Sequence, residues 1–162
     1  MKDIPSQVSV LGELLVQRNL FLSTAESCTG GLISHLLTNQ PGSSEWYLGG
    51  VLAYSNLLKT KVLGVDKDLL SKHGAVSGEC VLSMVRGISG LTGSQVCISV
   101  SGIAGPGGGT AEKPVGTVYI AWGFAGDLWW EKKVFQGERL EVKFQTAQRA
   151  IEVLLEYLMQ LR

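Results

Sequence analysis

"FLSTAESCTGGLISHLLT", residues 21–38, decides the fold. "FLSTA" is a short apolar run bounded by a polar turn, the pattern of a buried strand. "GGLISHLLT" (30–38) reads as a helix that stops at Asn39–Gly42, where proline and glycine follow. A strand that turns at once into a helix is the building unit of α/β sheets.

The same alternation extends outward on both sides. Residues 6–19 place Val8, Leu11 and Leu15 on one face with Leu14 beside them, which predicts an amphipathic helix. "GGVLAYS" (49–55) predicts a second strand. Ser55 or Asn56 can cap a helix running to about Leu63, Asp66 can begin a short one ending at His73–Gly74, and Ser77 can cap a third. That third helix carries Val81, Met84, Val85 and Ile88 on its apolar side. "QVCISVS" (95–101) and "VGTVYIAW" (115–122) are rich in β-branched and aromatic residues, as strands are. The turn Phe124–Asp127 leads into "LWWEKKVFQ" (128–136), which predicts an antiparallel hairpin. Residues 139–161 form a long closing helix with Ile151, Leu154, Leu155 and Leu158 turned inward. The order predicts an α/β fold, a three-layer α/β/α sandwich with a mixed sheet, as a single domain over residues 1–162. Trp122, Trp129 and Trp130 fall on adjoining strands, where they fill core or form an apolar patch; the patch leaves a homo-oligomer open.

Composition narrows the function classes. The chain has 162 residues, 14 Lys plus Arg and 14 Asp plus Glu, so no basic surface is available to neutralise a polyphosphate backbone. Nucleic acid is not an expected partner. The opening "MKDIPSQVSV" has no apolar run for a leader or membrane span, which points to the cytoplasm and to no membrane contact. Cys28, Cys80 and Cys97 are odd in number and lack metal-ligand spacing; reduced thiols and no metal are expected.

Chemistry is sought at the turn after the first strand. Ser27 sits there, with Cys28, Thr29, Gly30 and Gly31 behind it. Glycines let a carbonyl approach the backbone, and a helix start offers free N–H groups and a positive dipole end, the parts of an oxyanion hole. The plain alternative is that Ser27 or Thr29 only caps the helix. A serine nucleophile needs a base. His35 lies within the following helix and His73 at a helix end, neither with an acidic partner in sight. Lys59 in "YSNLLK" (54–59) enters a helix after a strand, where the dipole lowers an amine's pKa; the alternative places it on a solvated face. Cys28 is a rival nucleophile, unless it is a buried, inert thiol. "SGIAGPGGGTAEKPVGTV" (101–118) lacks a Walker A ending, but Gly102, Gly105, Gly107 and Gly108 allow a nest of N–H groups for an anion, with Thr110 and Lys113 nearby. A long mobile loop is the other reading.

Taken with "PGSSEWY" (41–47) and "HGAVS" (73–77), these motifs resemble, in order and along nearly the whole chain, the signature set of the CinA C-terminal domain family, the nicotinamide-nucleotide amidases. The resemblance implies a three-layer α/β/α protein that hydrolyses the carboxamide of nicotinamide mononucleotide to nicotinic acid mononucleotide and ammonia, in pyridine-nucleotide salvage. It implies no metal and no cofactor, and a small nucleotide as the partner molecule. It assigns Ser27 as nucleophile, Lys59 as base and Tyr54 beside them. The family's Asp-Arg and Val-Arg pairs read Glu138-Arg139 and Val142-Lys143 here. Arg139 is kept for the phosphate or ribose, whereas Lys143 cannot form a planar fork. The chain resembles the stand-alone form, with no room for an N-terminal nucleotide-processing domain. Two other readings stay open: a nucleotide-binding module without turnover, and a Ser-Lys amidase or esterase for another acyl group.

Overall fold

A computed structural model describes residues 3–161. In chain order the elements are α1 (Ile4–Gln17), β1 (Leu22–Glu26), α2 (Leu32–Thr38), β2 (Tyr47–Leu52), α3 (Asn56–Lys61), α4 (Lys67–His73), α5 (Gly78–Thr92), β3 (Val96–Gly102), β4 (Thr117–Phe124), β5 (Asp127–Val134) and α6 (Arg139–Gln160). A single 3₁₀ turn, Ser43–Glu45, precedes β2.

The five strands form one mixed sheet in the order β2-β1-β3-β4-β5. β1 pairs parallel with β2 and β3, and β4 runs antiparallel to both β3 and β5. Alternation along the strands sorts side chains to two faces. Leu22, Val96, Ile98, Val100, Val118, Ile120 and Trp122 meet α1, α2 and α6 on one face. Ala25, Cys97, Tyr119 and Ala121 meet α5 and the flank of α4 on the other. The sheet is therefore the middle of three layers, as the element order predicts.

Boundaries shift where local geometry overrides period. α1 begins at Ile4, two residues ahead of expectation, because Pro5 is tolerated in a first turn and Asp3 Oδ1 accepts from the Ser6 N–H at 2.9 Å. α2 begins at Leu32 instead of residue 30, because Gly30 and Gly31 take φ of 63° and 95°, outside the helical range. Ser55, Asp66 and Ser77 cap α3, α4 and α5.

Of the tryptophans, Trp122 is fully buried, and its Nε1 donates to Ala150 O at 2.9 Å. Trp129 stacks on it, and Trp130 is half-exposed beside Tyr119. Among the described residues no helix is long and apolar enough to cross a membrane.

Candidate active site

β1 and β2 end together while β3 runs on to Gly102: Glu26 lies opposite Leu52 on one side and Val100 on the other. The connection from β1 leaves toward β2 and that from β3 toward β4, so a crevice opens between the carboxyl ends of β1 and β3, where open α/β sheets bind ligands. Three segments meet there: the turn after β1, the start of α3 after β2, and the glycine-rich loop after β3.

Strand alternation sends Glu26 toward α2 and Ser27 toward α3. Ser27 is buried, with its N–H held by Val100 O at 3.1 Å. Its Oγ lies 3.0 Å from Lys59 Nζ. Lys59 is only 2% exposed, so the solvated-face reading fails. Its amine donates to Ala53 O at 2.9 Å and Tyr54 O at 3.1 Å, and no salt bridge among the described residues includes it. Burial pushes its pKa below the usual 10.5, the dominant cause being desolvation rather than the helix dipole expected from sequence. The amine thus donates to three oxygens, those of Ser27, Ala53 and Tyr54; an amine that gave up one proton would keep two N–H donors for the carbonyls and turn a lone pair to the Ser27 hydroxyl.

Ser27 is not a cap for α2, nor is Thr29. The N-cap position is Gly31, which has no side chain to offer, and the first-turn N–H groups are taken instead by the carboxylate of Glu26, which sequence reading did not select. This carboxylate is 1% exposed and accepts from Ile33 N (3.0 Å), Ser34 N (2.7 Å), Ser34 Oγ (2.7 Å) and Thr29 Oγ1 (2.6 Å). A charged residue ending an otherwise buried strand was the available signal, since such a group must find several donors. Gly30 N–H donates to Ser27 O at 3.0 Å, whereas the N–H groups of Cys28 and Thr29 have no backbone acceptor among the described residues. Burial pushes the Cys28 thiol up to about 12, which disfavours the thiolate a cysteine nucleophile requires.

The cleft over this pair has a volume of about 260 Å³. Ser27, Cys28, Tyr54, Lys59, Gly102, Gly105, Gly107 and Arg139 line it, joined by Asn56, Ala75, Val76, Ser101 and Ala104. Arg139 closes one side by donating to Gly105 O at 2.6 Å and Tyr54 Oη at 3.0 Å. Thr29, Gly30, Gly31, Gly108 and Thr110 do not line it. Thr29 turns to Glu26, and Thr110 Oγ1 accepts from Lys113 N at 3.0 Å in a tight turn. Lys143, half-buried, lies behind Gly30, where a side-chain carbon would come within 3.4 Å of its Nζ. Among the described residues no group of three His, Cys, Asp or Glu is placed to hold a metal.

A buried hydroxyl–amine pair under a cleft at the carboxyl ends of parallel strands defines the class, an α/β domain with a polar pocket at the edge of its parallel strands. The profile of the family described as CinA C-terminal domain matches residues 6–158, and the chain belongs to that family. It is 45% identical over 156 residues to the nicotinamide-nucleotide amidohydrolase PncC of Pseudomonas putida, covering 96% of this chain and 98% of that protein. It is 49% identical over 154 residues to a CinA-like protein of Thermotoga sp. strain RQ2, of whose length the match spans 36%. Among solved structures, the competence damage-inducible protein A of Klebsiella pneumoniae superposes with a TM-score of 0.96 at 35% identity, over 99% of this chain and 100% of that one.

Proposed function

We infer that residues 1–162 act as an amidohydrolase domain that converts nicotinamide mononucleotide to nicotinic acid mononucleotide and ammonia. The observation that carries the reading is the 3.0 Å approach of Ser27 Oγ to an amine held by two carbonyls in a buried pocket. The likeness to the Pseudomonas putida amidohydrolase over nearly both whole chains supports the substrate.

In this reading Ser27 Oγ attacks the carboxamide carbon while Lys59 Nζ takes the hydroxyl proton. The carbonyl oxygen becomes an oxyanion held by the backbone at Cys28, the residue next to Ser27 that lines the cleft. The C–N bond then breaks, and Lys59 returns its proton to the departing nitrogen, which leaves as ammonia. Water attacks the Ser27 ester with Lys59 again as base, releasing the carboxylate product and restoring the serine. No step needs a metal or cofactor. Arg139, Gly105 and Gly107 line the cleft, where the guanidinium and the loop's N–H groups would hold the nucleotide's phosphate.

The test is ammonia release by the purified protein with chelator present, from nicotinamide mononucleotide, its dephosphorylated riboside and a panel of simple amides and esters. The mononucleotide is expected to be the best substrate, ahead of the riboside by about tenfold or more in kcat/KM for a charge-assisted phosphate contact. Equal values for the two would remove the phosphate site. Turnover of other amides or esters but not the mononucleotide would overturn the substrate, and binding without ammonia would overturn the enzyme.

A further inference from the structure

Two of the motifs singled out in the sequence, "HGAVS" (73–77) and the end of the glycine-rich segment, have no part in the chemistry above. The structure joins them through one side chain. Lys113 Nζ donates to Val76 O at 2.6 Å and His73 O at 3.2 Å, and no salt bridge among the described residues includes it. We propose that Lys113 is a positioning residue for substrate binding: it ties the glycine-rich loop to the α4–α5 turn and so fixes two adjoining walls of the cleft. The proposal rests on the amidohydrolase reading for its kinetic consequence.

Both anchored segments reach the cleft. Ala75 and Val76 line it from the α4–α5 turn, and Gly105 and Gly107 line it from the loop. The turn has its own bracing: Ser77 Oγ donates to Gly74 O at 2.8 Å and accepts from Cys80 N at 3.2 Å. The loop is pinned at its neck, where Ile103 N donates to Thr117 O and Gly116 N to Ile103 O, each at 2.8 Å. Beyond the neck it folds through Thr110 N to Lys113 O at 2.8 Å and Lys113 N to Thr110 Oγ1 at 3.0 Å. That turn presents the Lys113 side chain to the carbonyl end of α4, the end of a helix that favours a cation. Arg139 holds the same loop from the opposite side at Gly105 O.

The physical reason for a tether is entropy. Five glycines between positions 102 and 109 give this segment unusual backbone freedom, and ordering it on substrate arrival would weaken binding. A cation that orders it beforehand moves that penalty from binding to folding. Lys113 lies outside the residues that line the cleft, so its loss acts on affinity and leaves the Ser27–Lys59 pair in place. The sequence reading, which set Lys113 beside an anion nest, differs from this: its amine faces backbone carbonyls.

K113M keeps the aliphatic stem and removes the ammonium. It is expected to raise KM for nicotinamide mononucleotide about tenfold while kcat stays within about threefold, the size of lost charge-assisted hydrogen bonds. Amide hydrogen exchange should quicken in residues 103–109 and 74–77 and stay unchanged in β1 and β3. K113R, which keeps a donor cation, should bring KM back to within about threefold of wild type. Unchanged KM in K113M overturns the proposal, and so does a fall in kcat at constant KM. Faster exchange across the whole sheet overturns it too, since that marks a general structural role. A wild-type protein without turnover would refute the amidohydrolase reading instead, and the exchange comparison would still decide whether Lys113 tethers the loop.

Discussion

The two halves of the sheet are built for different work. In the parallel half, β1 and the turn after it bury Ser23, Thr24, Glu26, Ser27 and Thr29, and α3 adds buried Lys59. In the antiparallel half, β4 buries Val118, Ile120, Ala121 and Trp122 against α6 and α5, with Thr117 its single buried polar residue other than tyrosine. Parallel strands return through crossovers, so their carboxyl ends open onto loops that carry polar groups; a hairpin spends its connection on a tight turn. The lesson is that buried polarity gathers beside the candidate site, although Gln7, Ser94 and Thr146 are buried away from it, and that buried apolar area marks the scaffold. Substitutions of Ser27 and Lys59 in the first region should therefore reduce turnover with little loss of stability, and those in the second should do the reverse.

The strongest test of that division is S27A, expected to lower kcat by about 10⁵ to 10⁶ with the melting temperature kept. Retention of a tenth of the wild-type rate would remove Ser27 from the chemistry. K59M should lower kcat by about 10² to 10⁴ with substrate affinity unchanged, the range for a lost general base; a raised KM alone would make Lys59 a binding residue. W122A, on the scaffold side, is expected to cost about 3 to 5 kcal/mol in denaturant unfolding, with kcat near wild type while the protein is folded. Loss of kcat in the folded W122A would erase the distinction between the halves. R139A should raise KM by roughly tenfold, since it removes a cation and the bonds to Gly105 and Tyr54 together.

The smallest effect is on the pH dependence of stability. Burial holds the folded pKa of Lys59 below 10.5, and unfolding returns it to that value. Between the two values the unfolded chain binds more protons, so stability from this group rises as pH climbs through that window. Below the folded pKa the charged amine is buried and its full penalty applies. K59M should remove that slope in pH-dependent unfolding.

The fold was largely legible because its elements are set by local signals: Ser55, Asp66 and Ser77 as caps, β-branched runs at β3 and β4, and a long amphipathic α6. β2 was placed late, at 49–55, because its start at Tyr47 is fixed by pairing with Leu22, a contact distant in sequence. The site was legible as residue types and not as environments. Lys59 has the local sequence of a solvated lysine, and only the meeting of β1, β2 and α3 buries it. Glu26 escaped notice because its donors come from the next helix, which the sequence reading had capped with Ser27 or Thr29. The glycine-rich loop reads as mobile in isolation; its order comes from Arg139 and Lys113, one of them far along the chain.

The central claim is that an uncharged Lys59 makes Ser27 a nucleophile, and covalent labelling tests it independently of the substrate. The protein is treated with a small serine-directed fluorophosphonate at neutral pH, and the modified residue and its rate are read by mass spectrometry for wild type and K59M. The account predicts one adduct on Ser27 in the wild type, formed at least about a hundredfold more slowly in K59M. An unlabelled Ser27, or equal rates in the two proteins, would contradict it.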